Sequence, residues 1–330
     1  MNWGIIGLGH MAKNFANSIQ ELADNNLLGV SSNSLFKLIK FSYRYKINYK
    51  YLFNRYQKIL ECPDIDSIYI GTLNNSHFDL IIKCIDAKKN ILCEKPFVLN
   101  FNQANIVKEK LKNSNIFFLE SIGYRSHPQT KEIIRLIKEN YIGDIVKVKS
   151  TFGFNSGSPK KKGRLLNKEL GGGSIFDLGC YPISMSNLIA NVNNEKEIAP
   201  TISEIKGKMH ETGVDLNGRA KLFYSNGIES NIEVSITEDL ENNTIIYGTD
   251  GFIKITNPWL QNKESVIEIH KNNGIKKLNT HNDFSLFAHQ IELFNNSVRK
   301  KNLGDNYPAM SIDNSVNCIK TMMEWKKSIF

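Results

Sequence analysis

The sequence predicts an α/β protein in two parts. Residues 1–121 read as a Rossmann domain, a doubly wound parallel sheet. Residues 122–330 read as a substrate-binding and oligomerisation α/β domain on an open, mostly antiparallel sheet. Three observations predict this. In the first third, short apolar runs alternate with amphipathic stretches, the signature of βαβ units. After about residue 121, extended segments follow one another without helices between them, which fits antiparallel pairing. And 330 residues exceed one ordinary core, since domains mostly run about 100–200 residues.

The elements follow in order. Residues 2–6 form a first strand. From Met11, apolar residues recur at Ala12, Phe15, Ala16, Ile19, Leu22 and Ala23, giving a helix with one buried face. Asp24-Asn25-Asn26 turns into a second strand over 27–31, and 34–45 is helical. Ile65, Ile68, Tyr69 and Ile70 mark a strand over 65–71; Phe78, Ile81, Ile82 and Ile85 mark the next helix. A strand over 90–93 precedes a helix carrying Ala104, Val107 and Leu111, which Asn100 can cap. Residues 116–119 close the series. A helix with Ile133, Ile134 and Ile137 then leads to the turn Ile142-Gly143-Asp144. Extended segments follow near 145–154, 202–209, 218–224, 228–236, 243–248 and 252–256. Asn226-Gly227 and Asp250-Gly251 are hairpin signals. The chain turns helical again around 284–300 and 311–328.

Composition narrows the function. Apolar residues make up 41%, aromatics 10% and charged residues 23%, values that fit a globular chain and not a disordered or fibrous one. No run approaches the roughly 20 apolar residues of a membrane span. The N-terminus lacks a basic n-region and a long apolar stretch, so no secretion signal is read and a cytoplasmic setting is expected. Five cysteines without a CxxC pair argue against a disulfide framework or a zinc cluster. His270, His281 and His289 show no ligand spacing, and no metal is expected. The net charge is 42 − 33 = +9. Lys160-Lys161-Lys162 is the tight basic run, read as a solvated loop; without interleaved aromatics it suggests no nucleic-acid partner. Tyr43, Tyr45, Tyr49 and Tyr51 are read as packing residues.

Four segments carry chemistry. Gly7-Leu8-Gly9-His10-Met11-Ala12 follows the first strand and opens the first helix. Gly7 permits a tight turn, Gly9 lets backbone approach a pyrophosphate, and Ala12 lets helix and strand pack. His10 and Met11 lie where the helix offers free N–H groups to phosphates. At the end of the second strand, an NAD site would carry an acid for the ribose 2′-OH. Here stand Ser31-Ser32-Asn33, with Lys37 one turn on. Ser32, Asn33 and Lys37 lean toward a 2′-phosphate, so NADP is expected over NAD. Glu94-Lys95-Pro96 ends a strand at the ligand-binding edge of such a sheet. Asp177 and Tyr181, four apart, share a face if their segment is helical. Lysine, aspartate and tyrosine converging on one pocket would supply acid–base chemistry.

Four segments in order resemble the Gfo/Idh/MocA oxidoreductase family: WGIIGLGHMA at the start, GTLNNSHFDLIIKCIDAKKNILCEKPFVLN at 71–100, FLESIGYRSHPQT at 118–130 and ELGGGSIFDLGCYPI at 169–183. The Tyr-Arg-x-His-Pro and Gly-Cys-Tyr-Pro forms are most similar to the subgroup of glucose–fructose oxidoreductase and dimeric dihydrodiol dehydrogenase. The resemblance implies that Gly7, Gly9 and Ala12 hold the dinucleotide, with Thr72, Asn74 and His77 running past it and Glu94 on its nicotinamide side. It makes Lys95 the lysine that touches the reacting hydroxyl and puts Asp177 in the substrate pocket. Tyr181 takes the position where sugar and inositol dehydrogenases carry histidine. Arg125 and Arg164 fall where the subgroup has arginines near the pocket; interdomain salt bridges are the competing reading.

The expected activity is an NAD(P)-dependent oxidation or reduction of a CH–OH carbon in a sugar, sugar derivative or related diol. Tyr181 would transfer the proton and Lys95 lower its pKa; the reverse assignment stays open. A non-catalytic dinucleotide sensor and an NAD-dependent glycosidase are the alternatives. A homodimer or homotetramer is expected, with no membrane partner.

Overall fold

Six parallel strands build the first sheet of a computed structural model that describes residues 1–157, 163–194, 197–261, 264–301 and 307–329. They are β1 (Asn2–Ile6), β2 (Asn26–Ser31), β3 (Leu52–Phe53), β4 (Ser67–Ile70), β5 (Asn90–Glu94) and β6 (Phe118–Ser121), in the order β3-β2-β1-β4-β5-β6. Every neighbouring pair is parallel. Strand order reverses between β1 and β4, so the crevice beyond their carboxyl ends is the topological switch point where such sheets bind ligands. All four residues of β4 are buried, as in a sheet covered on both faces.

The connecting helices are α1 (His10–Ile19), α2 (Leu35–Tyr45), α3 (Tyr56–Glu61), α4 (His77–Asp86) and α5 (Phe101–Lys112). Phe15 of α1 stacks on Tyr69 of β4, with ring centroids 4.1 Å apart and planes 7° from parallel. Trp3 meets the Phe15 edge at 5.2 Å. All three rings are fully buried, and each such pair contributes about 0.5–1.5 kcal/mol beyond area burial. They hold the start of α1 over the switch point. On α2, Ser34 caps the N-terminus and Leu38, Phe41 and Tyr45 face inward. The packing expectation for the tyrosines holds for Tyr45, whose hydroxyl donates to Asn17 Oδ1 at 3.0 Å. It fails for Tyr43 and Tyr49, which are 88% and 86% exposed. Helical spacing finds the inward stripe but does not say what covers the opposite one.

The second sheet has eight strands: β7 (Ile145–Gly153), β8 (Thr201–Met209), β9 (Asp215–Phe223), β10 (Glu229–Ser235), β11 (Asn243–Gly248), β12 (Gly251–Thr256), β13 (Glu264–Lys271) and β14 (Gly274–His281). Their order is β14-β13-β12-β11-β7-β10-β9-β8. Only β7 with β10 is parallel; the other neighbours are antiparallel. Both hairpin signals hold, Asn226-Gly227 joining β9 to β10 and Asp250-Gly251 joining β11 to β12. The helices α6 (Pro128–Lys138) and α7 (Cys180–Ala190) pack on this sheet, α6 against β13 and α7 against β7 and β10. The basic run Lys160-Lys161-Lys162 lies outside the described residues.

Two helices end the described chain, α8 (Leu286–Arg299) and α9 (Ile312–Lys327). The chain divides into two compact units. One comprises Met1–Val98, Asn102–Gly123 and Phe284–Ser315; the other comprises Leu99–Phe101, Tyr124–Asp283 and Val316–Phe330. A single division at residue 121 therefore leaves out the return of α8 to the first unit. There α8 packs on α1, and Phe294 meets Trp3 at 4.7 Å and Phe117 at 4.9 Å.

In the second unit, a buried aspartate anchors α7's approach. Asp215 Oδ2 accepts hydrogen bonds from the Ser174 hydroxyl at 2.8 Å and the Ile175 N–H at 2.6 Å. Lys326 Nζ of α9 lies 3.2 Å from Oδ1. Removing one partner of a buried ion pair strands the other charge, which costs about 3–5 kcal/mol. Asp215→Ala should lower unfolding free energy by that amount in urea titration. A loss under about 1 kcal/mol, the size of a surface pair, would refute the assignment.

Candidate active site

The loop after β1 is shaped for close approach. Gly7 has φ +89°, and a Cβ there would lie 2.6 Å from Thr72 Cγ2 and 2.8 Å from the Gly71 carbonyl oxygen. Only glycine suits that backbone and that space. Gly9 differs: its φ is −87°, and a Cβ would find only the Gly71 oxygen, at 3.8 Å. The space over Gly9 is open. Gly9 is the N-cap of α1 and gives it no side-chain cap; the first turn has no acidic residue, and His10 and Met11 are exposed. The orphan N–H groups of a helix start, uncapped and without a local carboxylate, form a ready site for anionic oxygens. Ala12 is fully buried against the sheet. These residues fit a dinucleotide pyrophosphate.

The loop after β2 lies alongside. Gly7 N–H donates to the Ser31 carbonyl at 3.0 Å. Ser32 is buried, and its Oγ accepts from the Ser34 N–H at 3.2 Å, which leaves its hydroxyl proton to donate. Asn33 and Lys37 are exposed.

The loops after β4 and β5 are tied together from beneath. His77, fully buried, has Nδ1 2.9 Å from the Pro96 carbonyl and Nε2 3.3 Å from the Thr72 carbonyl. Burial holds its imidazole below the ordinary range, so the ring is neutral and donates one hydrogen bond, for which Pro96 is the nearer acceptor. Thr72 Oγ1 accepts from the Ser76 hydroxyl at 2.7 Å, and Asn74 is buried in the turn between them. Glu94 is also buried. Tyr69 donates to its Oε1 at 2.7 Å, and burial raises its carboxyl above the ordinary range. His77 and Glu94 thus support the loops from below, and the half-buried Lys95 directly follows Glu94. Sequence reading missed Glu120, a buried carboxyl on β6. Its signal was a charge directly after the apolar run 116–119.

The second unit holds the other candidates. The backbone widens into a π-turn over Ile175–Gly179 before α7, a feature frequent at functional sites. Asp177 lies in it and Tyr181 in the first turn of α7. Arg164 grips Asp177 with both oxygens engaged, Nη1–Oδ1 at 2.9 Å and Nη2–Oδ2 at 3.2 Å. Tyr181 is half-buried among aromatic rings, with Phe152 at 5.1 Å and Trp259 at 5.9 Å. Arg125 is interior: it is 2% exposed and donates to the Ser184 carbonyl at 2.8 Å. Its neighbour Tyr124 is fully buried, its hydroxyl 2.8 Å from Ser184 Oγ, and burial pushes it well above the ordinary phenol range. Of these two tyrosines, Tyr181 has the exposure a proton-transferring phenol needs.

No group of histidine, cysteine or carboxylate side chains among the described residues is arranged to hold a metal ion. No described helix is long and apolar enough to cross a membrane. A cleft between α4 and α5, lined by Asp86, Asn90, Lys110 and Asn113, opens at the strands' amino ends, away from the loops just described.

Comparison with known proteins agrees with this geometry. The model of an oxidoreductase family with an NAD-binding Rossmann fold, GFO/IDH/MocA, matches residues 1–120, and that of the GFO/IDH/MocA C-terminal domain matches residues 130–254. The trans-1,2-dihydrobenzene-1,2-diol dehydrogenase of Xenopus tropicalis is 31% identical over 255 residues, 77% of this chain and 74% of that protein. Among solved structures, the aldose-aldose oxidoreductase of Caulobacter crescentus has a TM-score of 0.87 at 18% identity, covering 100% of this chain and 97% of that one. A 3-ketoreductase from Actinomadura kijaniata, solved with NADP and TDP-benzene, has a TM-score of 0.86 at 18% identity, covering 98% and 96%.

Proposed function

The chain belongs to the GFO/IDH/MocA oxidoreductase family, and on that premise we propose that it interconverts a carbinol and a carbonyl carbon in a sugar, sugar derivative or related diol with NADP(H) as partner. The observation that carries this is the uncapped start of α1 beneath the open space at Gly9, beside a Gly7 that tolerates no side chain. When bound, the dinucleotide supplies the hydride acceptor or donor at its nicotinamide C4.

The chain's own residues have three tasks. Gly7, Gly9, His10, Met11 and Ala12 hold the pyrophosphate, with Thr72 and Asn74 beside it. Lys95 Nζ binds the reacting oxygen, and Tyr181 Oη gives or takes its proton. Asp177 and Arg164 orient the substrate's other polar groups, while Arg125, His77 and Glu94 act from the interior by positioning. The dihydrodiol activity of the Xenopus relative and the aldose activity of the Caulobacter neighbour both favour a polyhydroxylated substrate. A screen of sugars, nucleotide sugars and dihydrodiols with both nicotinamide cofactors tests the reading, following absorbance of the reduced form. Net cofactor turnover is expected; product formation without it would point to a glycosidase and overturn the assignment.

For the cofactor, the support lies at the end of β2. No carboxylate stands there to repel a 2′-phosphate, Ser32 has a hydroxyl proton to donate, and Lys37 is one helical turn along. One added polar contact of this kind is worth about 1.4 kcal/mol, or roughly tenfold. Fluorescence titration should therefore give about tenfold tighter binding of NADPH than NADH. Tighter NADH binding would reverse the assignment.

A homodimer or homotetramer completes the reading. The sheet face opposite α6 and α7 presents Lys147, Ile245, Tyr247, Phe252 and Lys254, all half-buried, a mixed apolar and polar surface suited to a second copy. A monomeric mass in solution would exclude it.

A further inference from the structure

Glu120 occupies a strand of which every residue is buried. A carboxyl in such a place is costly unless its oxygens are engaged. Oε1 accepts a hydrogen bond from the Phe97 N–H at 3.0 Å. Oε2 is buried and makes no hydrogen bond among the described residues. Phe97 lies two residues beyond Lys95, next to the Pro96 whose carbonyl meets His77. Two buried side chains thus hold the Lys95-Pro96-Phe97 turn, His77 at Pro96 and Glu120 at Phe97. Only Glu120 among them can carry a negative charge.

The groups that face Glu120 come from three places. β5 contributes Cys93, its register partner, and Glu94; the following turn contributes Lys95; and α9 contributes the Ser315 hydroxyl. Ser315 is near enough to favour the ionised carboxylate yet makes no hydrogen bond of good geometry with it. Lys95 is the one cation in the set. Burial pushes the Glu120 carboxyl up to about 7, against the Ser315 hydroxyl, the Phe97 N–H and the Lys95 charge, with the Glu94 charge adding to the rise.

We propose that Glu120 is a positioning residue for Lys95, its carboxylate holding the turn through the Phe97 N–H and supplying the counter-charge that keeps Lys95 cationic where it meets the reacting oxygen. This rests on the reading that Lys95 binds that oxygen. The ionised form does both jobs better, because a hydrogen bond to a charged acceptor is roughly twice as strong as one to a neutral acceptor. The protonated form gives up the counter-charge.

Glu120→Gln tests it, since the amide keeps the volume and an Oε1 acceptor for Phe97 but cannot ionise. At pH 8 its kcat should fall about tenfold with the cofactor's KM unchanged, less than the roughly 10²–10⁴-fold commanded by a group that transfers the proton itself. The wild-type rise in kcat near pH 7 should disappear. A second readout needs no activity. A carboxyl whose folded pKa is raised stabilises the fold at low pH and loses that contribution as pH rises from the ordinary carboxyl value through about 7. The melting temperature of Glu120→Gln should therefore gain on wild type between pH 5 and pH 8. In a Lys95→Ala background, Glu120→Gln should slow turnover no further. Wild-type kcat and an unchanged pH profile in Glu120→Gln would overturn the proposal, as would full activity in Lys95→Ala. The second result would sink the reading of Lys95 as well, while leaving the pH-dependent gain in melting temperature intact. The two failures are therefore distinguishable. If Glu120→Gln does not fold, the wild-type infrared carboxyl band supplies the answer. A protonated carboxyl lost near pH 7 in wild type and in Lys95→Ala alike would mean that Lys95 is not coupled to Glu120, and would overturn it.

Discussion

Lys95→Ala and Tyr181→Phe should each cut turnover about 10²–10⁴-fold, the usual contribution of a positioned acid or base. An unperturbed tyrosine titrates near about 10 and a lysine near about 10.4, so neither is a good base alone at neutral pH. Each needs a charged neighbour to shift it. On the proposed assignment, the lysine variant would lose the charge at the reacting oxygen and the tyrosine variant the proton carrier. The assignment of the proton to Tyr181 gains from its half-exposed ring, since the neighbouring Tyr124 is sealed in and pushed to higher pKa. Cofactor affinity should barely change in either variant, because the pyrophosphate loop at Gly7 and Gly9 is formed by other residues. Steady-state kinetics on a confirmed substrate, with NADPH titrated separately, checks both halves. Near-wild-type turnover in both variants would discard the site.

Much of the fold around the candidate site is legible in the sequence, and the parts that are not share a physical cause. Strand–turn–helix context identified the Gly7 loop because both its glycines and the flanking periodicity are local. The first sheet's long strands were visible as apolar runs, but β3 has only two residues, Leu52 and Phe53, too few to show a period. At the other end, β13 alternates with Ser265, Ile267 and Ile269 buried, and its hairpin carries an Asn273-Gly274 signal that could have found it. Its partner β14 is nearly all exposed; pairing holds it, not burial, so no apolar pattern marks it. The helix at 284–300 was expected, yet its return to the first unit was not. Periodicity reports which side of a helix is buried, not which sheet buries it.

The same limit applies to side-chain roles. Asp177 was placed near substrate by its motif, while its bidentate pairing with Arg164, 13 residues earlier, came only with the fold. Arg125 had two readings, pocket or salt bridge. The structure shows it in the interior, donating to the Ser184 carbonyl. Glu120 went unnoticed because its importance depends on the Phe97 N–H and the Lys95 charge, neither adjacent in sequence.

A paired substitution in the β1–α1 turn separates folding from binding. Gly7→Ala should destabilise the protein by about 2–5 kcal/mol, combining left-handed backbone cost with overpacking. Its Cβ would meet the Gly71 carbonyl oxygen at 2.8 Å, and backbone at the head of a packed loop cannot swing aside as a flexible side chain could. Gly9→Ala should cost no more than about 1 kcal/mol, the penalty of a poorer N-cap, because φ is −87° and the nearest atom is 3.8 Å away. Yet the added methyl would fill the space above the α1 N–H groups. Hydrogen bonds to a charged acceptor contribute about 1.5–3 kcal/mol each, so losing one should weaken NADPH about 10–100-fold. Chemical denaturation and fluorescence titration on the two variants would read the two effects separately. Wild-type NADPH affinity in Gly9→Ala would mean that the pyrophosphate does not lie over the start of α1, and the dinucleotide site would have to be sought elsewhere on the sheet's carboxyl edge.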